Sequence, residues 1–139
     1  MATLTINRLL AWLPMPVLGI LNGLFRGLVL MQFMPEFRAK QLSSLTLIVI
    51  LFVYTNLIFD RLDLKVTREA LYTGLVWVLL TITFEFVLGS LILNQSLDMM
   101  LEEYNITRGN FWLLVIISIF FMPFILLKIK TKARKISNV

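Results

Sequence analysis

Two charged residues stand inside long apolar runs. Arg26 lies in Gly19-Ile-Leu-Asn22-Gly23-Leu-Phe-Arg26-Gly27, and Glu85 in Thr81-Ile-Thr-Phe-Glu85-Phe-Val-Leu-Gly89. A guanidinium and a carboxylate in apolar surroundings can pair with each other, hold a small ion, or carry a proton. Asn22 precedes Arg26 by one helical turn and Thr81 precedes Glu85 by the same step, so on helices each pair shares a face. Asn56 and Tyr54, in another apolar run, are further hydrogen-bonding candidates for the same centre. The remaining acidic cluster, Asp98, Glu102 and Glu103, has the spacing of a solvated helix face and needs no metal or acid/base role.

Other chemistries are excluded by residue type. The chain has no cysteine and no histidine, which removes disulfides, thiolate zinc sites, histidine-held haem and His-dependent catalysis. It has no Gly-rich phosphate loop, nucleophile elbow or zinc-protease motif. No metal or cofactor is implied.

The elements that carry these residues follow from hydropathy. Of 139 residues, 59% are hydrophobic and 15% are charged, and the mean hydropathy is +0.89. A soluble domain of that composition would expose large apolar patches, so the bilayer is the expected solvent. A hydrocarbon core of about 30 Å takes roughly 20 helical residues. Four apolar blocks meet that length, at about 14–33, 42–59, 71–93 and 111–127, followed by a basic tail over 128–139. The expected fold is therefore all-α: one integral-membrane four-helix bundle spanning 1–139. The first block is too long for a signal-peptide core and lacks a small-residue cleavage site. Pro14 and Pro16 suit the start of that span, which leaves Thr3 to Leu13 as a short interfacial lead-in.

Orientation follows from lysine and arginine placement. Lys128, Lys130, Lys132, Arg134 and Lys135 flank the last span, and Arg8, Arg61, Lys65 and Arg68 fall on the same side of a four-span chain. Only Arg38, Lys40 and Arg108 fall opposite. The expectation is a multi-pass protein of a bacterial inner membrane with both termini cytoplasmic. The five tail charges read first as a topology anchor and second as a site for anionic phospholipid. Without a basic groove or aromatic platforms, nucleic acid is not an expected partner.

The connection from Asn94 to Asn110 is expected to hold a short amphipathic helix. Leu97, Met100, Leu101 and Tyr104 share one face, Ser96 is a suitable N-cap, and Asp98 suits the first turn. Such a helix lies in the interface with its apolar face down, or packs on the bundle as a lid. Phe111 and Trp112 follow as interfacial anchors for the fourth span.

Gly19, Gly23 and Gly27 form two consecutive G-x-x-x-G steps, a pattern that admits close helix approach in lipid. Gly74 and Gly89 belong to a comparable stripe of the third span. Counted from the expected span starts, Arg26 is about 18 Å deep and Glu85 about 21 Å. Two opposite charges at matching depth are expected to pair, with Asn22, Thr81, Asn56 and Tyr54 completing the hydrogen bonds. A permanently charged arginine beside the carboxylate favours a fixed pair or an anion site over a proton relay.

The segments Asn22-Gly23-x-x-Arg26, Phe84-Glu85-Phe86-Val87-x-Gly89 and Glu103-Tyr104-Asn105-x-x-x-Gly109-x-x-Trp112 resemble those of small, uncharacterised four-span bacterial inner-membrane proteins. Members of that group tend to carry Asp-Tyr-Asn and Gly-Arg where this chain has Glu-Tyr-Asn and Gly-Asn. The resemblance implies the four-span fold and no particular activity.

Three functional classes fit the residues. The first is a non-catalytic accessory or interaction subunit that packs through its glycine faces, against other membrane subunits or against itself. The second is a small oligomeric transporter or channel with a polar intramembrane site. The third is a lipid-modifying membrane enzyme with Glu85 in its cleft.

Overall fold

The computed structural model describes residues 2–139, with side-chain positions from Ile6 onward. Helix is the only regular structure among the described residues. Four helical segments are long and apolar enough to cross a bilayer: Ile6–Phe33, Glu36–Leu62, Thr67–Ile92 and Trp112–Ser137. This is a multi-pass, all-α membrane bundle. The segments outrun the apolar blocks because charged residues at their ends, such as Glu36, Arg38 and Lys40, continue the helix. In a bilayer every backbone N–H and C=O must be satisfied within its own segment, and the helix does that wherever no water is available.

The lead-in is part of the first span. Helix Ala2–Trp12 runs almost directly into Pro14–Phe25, with Leu13 still in helical geometry and the prolines in the opening turn of the second piece. Toward the loop-bearing end of the bundle, here called distal, the backbone widens to π geometry at Arg26–Leu30 in the first span and at Leu88–Ile92 in the third. The opposite, terminal end carries both chain ends and the Phe59–Leu62 turn.

The fourth span is the spine. It packs against the second and third spans, and the first packs against the second. Val115, Ile119, Met122, Pro123 and Leu126 lie buried along it, facing Leu47, Leu51 and Thr55 of the second span and Trp77 of the third. Large apolar residues elsewhere are exposed, as lipid-facing surface requires: Leu28 at 68%, Leu57 at 76%, Leu79 at 57%.

Gly74 explains the tightest seam. A Cβ at this position would collide with the backbone carbonyl of Phe120 on the fourth span. Small residues at such crossings let backbones touch where lipid offers no hydrophobic drive for association. Substituting Gly74→Ala is expected to destabilise the purified chain by about 1–3 kcal/mol, the usual penalty for overpacking. Gly19→Ala should be neutral or slightly stabilising, because nothing lies within 4 Å of its added methyl and alanine is the better helix former. Thermal unfolding in mild detergent compares the two, and equal midpoints would contradict the packing account.

Candidate functional site

The structure does not join Arg26 to Glu85. Among the described residues Arg26 makes no salt bridge, and its guanidinium lies back over Gly23, with Nη2 3.9 Å from where a Cβ would sit. The expected pairing fails on register. The Trp12 indole N–H donates to Thr81 Oγ1 at 3.0 Å, which fixes the first span against the third. From that tie Glu85 is four residues further out, about 6 Å, whereas Arg26 is fourteen, about 21 Å. Taking Pro14 as the start of the span hid this offset, because the helix in fact begins well before it.

The other members of the expected centre are dispersed. Asn22 donates from Nδ2 to the Ser43 carbonyl at 2.9 Å and to Ser43 Oγ at 2.8 Å, and its Oδ1 is buried with no donor. Tyr54 donates to the Ala11 carbonyl at 2.7 Å. Asn56 has an exposed side chain, and its backbone carbonyl accepts from Lys130 Nζ at 3.4 Å.

Glu85 belongs instead to a distal cap. Tyr104 donates its phenol proton to Glu85 Oε2 at 3.0 Å and stacks its ring on Phe86 with centroids 6.3 Å apart. The buried indole N–H of Trp112 stands beside the same pair without reaching bonding geometry. Lys40 Nζ meets Glu103 Oε1 at 2.8 Å, and Gln41 donates to the Gly109 carbonyl at 2.9 Å. Gly109 turns the chain with φ +84°, a conformation that suits glycine, and it lies against the Phe37 ring. The loop thereby ties the third span to the second and the fourth.

The short helix Leu97–Glu102 is part of that cap, with Ser96 as its N-cap accepting from the Met99 N–H at 3.3 Å. Its apolar face divides. Met100 is buried against Gly89, where a Cβ would come within 2.5 Å of its sulfur, and Tyr104 beyond the helix turns inward to Glu85. Leu97 and Leu101 remain exposed at 58% and 51%. Through Met100 and Tyr104 the segment packs on the bundle as a lid.

Sequence reasoning missed the most buried charge. Arg8, counted there only as a topology residue, is 9% exposed. Its Nε donates to the Leu62 carbonyl at 3.3 Å, Nη2 lies 3.7 Å from Glu69 Oε2, and its own carbonyl accepts from the Trp77 indole at 2.9 Å. Trp12, one turn on, adds the Thr81 bond and an edge-on contact with Phe84. The available signal was the cation of the lead-in and the first-turn Glu69 falling on the same side of the membrane.

Of the glycines, Gly74 and Gly89 are closely covered, while Gly19 and Gly27 have nothing within 4 Å and Gly23 meets only Arg26. Gly27 falls inside the π segment, so the regular four-residue face breaks there. In the tail, Lys130 lies over the Phe59 ring and Arg134 reaches Asp60 at 3.5 Å, while Lys128, Lys132 and Lys135 are exposed.

This arrangement defines a helical membrane protein with a latched distal end. Comparison with protein-family models, curated proteins and solved structures finds no match to this chain.

Burial first, and the Glu85 carboxylate second, raise the Tyr104 phenol above its ordinary value of 10.0. The unfolded chain therefore ionises this group before the native chain does. The stabilising contribution of Tyr104 is complete below pH about 10 and is lost as pH rises above it. The thermal midpoint in detergent should fall between pH 10 and 11 more steeply for the parent chain than for Tyr104→Phe. Identical slopes would show that the phenol does not carry this dependence.

Proposed function

We propose that this chain is a non-catalytic accessory or interaction subunit of a bacterial inner membrane, with both termini cytoplasmic. The distribution of lysine and arginine supports that orientation. The observation that carries the functional reading is the open face of the first span. Gly19 and Gly27 are unopposed, whereas the two glycines of the third span are closely packed. On this span Arg26 has no acidic partner among the described residues, and the buried Asn22 Oδ1 has no donor.

An unpaired guanidinium folded back toward the membrane interior is costly unless something pairs with it. A second helix seated on the glycine strip supplies that partner if it carries an aspartate or glutamate at matching depth. Parallel copies of this chain would set Arg26 against Arg26, a repulsion that favours a different subunit over self-association. The resemblance to small four-span membrane proteins agrees with this reading and adds no activity. The exposed tail lysines, Lys128, Lys132 and Lys135, serve as an additional contact for anionic phospholipid.

A photo-crosslinking residue in place of Gly27, with Leu75 as a control position, tests the reading in native membranes. A protein adduct at position 27 alone is expected, weakened by Gly23→Leu and by Arg26→Ala while the unfolding free energy of the purified chain stays within about 1 kcal/mol of the parent. Lipid-only adducts at both positions, with migration as a lone chain in mild detergent, would overturn it.

A further inference from the structure

A cleft of about 510 Å³ opens between the terminal halves of the first and second spans. That volume falls in the range of small-molecule sites. One wall is the helix face from Asn7 through Leu10 and Ala11 to Pro14, and the other is the face from Arg61 through Ile58 to Tyr54. Each wall covers seven residue steps, about 10 Å of helix. The two run antiparallel and are graded alike: polar Asn7 and Arg61 at the terminal edge, apolar side chains further in. Tyr54 closes the deep end by donating to the Ala11 carbonyl at 2.7 Å.

Cations outnumber carboxylates at this end, and Arg61 is among those left without one. The three carboxylates are engaged elsewhere: Asp60 with Arg134 at 3.5 Å, Asp63 with Lys65 at 3.3 Å, and Glu69 with Arg8 at 3.7 Å. Arg61 makes no hydrogen bond or ion pair among the described residues, although it sits at the cleft mouth in the turn Phe59–Leu62 that ends the second span. That position is the level of the headgroups for a helix that starts at Glu36 and crosses the core.

We propose that this cleft binds an anionic phospholipid, with the phosphate at Arg61 and Asn7 and the start of an acyl chain along Leu10, Ala11 and Ile58. A soluble anion would use only the mouth, and a zwitterionic lipid would leave the arginine charge partly unanswered. The apolar depth and the unpaired cation at its mouth together select a lipid with net negative charge. Leu10 is 56% exposed, so the cleft opens sideways to the bilayer and an acyl chain enters without crossing the protein. This site is separate from the tail lysines and independent of the partner face on the glycine strip.

The purified full chain, in nanodiscs of phosphatidylcholine with a minor fraction of phosphatidylglycerol, provides the test. Native mass spectrometry after ejection from the disc counts the lipids retained. The parent chain should keep phosphatidylglycerol in preference. Arg61→Ala should weaken that preference about fivefold, the share of one basic residue at an anionic surface, and Arg61→Glu should abolish it. Both substitutions are at an exposed side chain, so the thermal midpoint serves as the folding control. Leu10→Trp, which fills the apolar part, should also reduce retention, and a chain with the exposed tail lysines Lys128, Lys132 and Lys135 changed to glutamine should retain the lipid. Unchanged preference in Arg61→Glu, or loss only in the tail variant, would overturn the assignment. So would displacement of the lipid by millimolar inorganic phosphate, which would reduce the site to an anion contact.

Discussion

The tie between the lead-in helix and the third span sets much of the bundle's geometry. A guanidinium or an indole N–H taken out of water must find a partner inside the protein. Arg8 finds the Leu62 carbonyl and Glu69, Trp77 finds the Arg8 carbonyl, and Trp12 finds Thr81. These contacts lock the first span against the third at one height. Everything further along the first span inherits that height: Asn22 meets Ser43, Tyr54 reaches Ala11, and Arg26 lies far beyond Glu85. The same register leaves the graded cleft open between Asn7–Pro14 and Tyr54–Arg61.

The two ends of the bundle are built differently. At the distal end the loop folds down and bonds to two spans, the third through Glu85–Tyr104 and the second through Lys40–Glu103 and Gln41–Gly109. The first span takes no part in those bonds. Its distal half is joined to the second span by Asn22, and its glycines face open space. Under the proposed function, a partner seated on this free helix face would leave the core along the fourth span undisturbed.

Glycine illustrates how one residue type serves opposite ends. Gly74 is a packing necessity, because the Phe120 carbonyl occupies the space a methyl would need. Gly89 makes room for Met100 of the loop helix. The three glycines of the first span satisfy neither demand within the chain. In sequence the two sets look alike, since G-x-x-x-G spacing states only that a helix can be approached closely and not which helix approaches.

The four spans, the helical class and the loop helix with its Ser96 cap were legible from residue order, because each rests on local hydropathy or on bonds within a few residues. The place of Asn22 beside the glycine strip also pointed to a protein-facing side chain, which is where it meets Ser43. The partners of Asn22 and Glu85 were not legible. Where the first span begins depended on Arg8 being drawn into the bundle by a carboxylate and a carbonyl more than fifty residues away, and moving that start displaced Arg26 from Glu85. Hydrophobic length determines that a helix crosses a membrane, whereas its height against a neighbour is decided by the few polar groups that must meet across the seam. That decision is tertiary, because bonds such as Trp12–Thr81 and Tyr54–Ala11 exist only once the spans stand side by side.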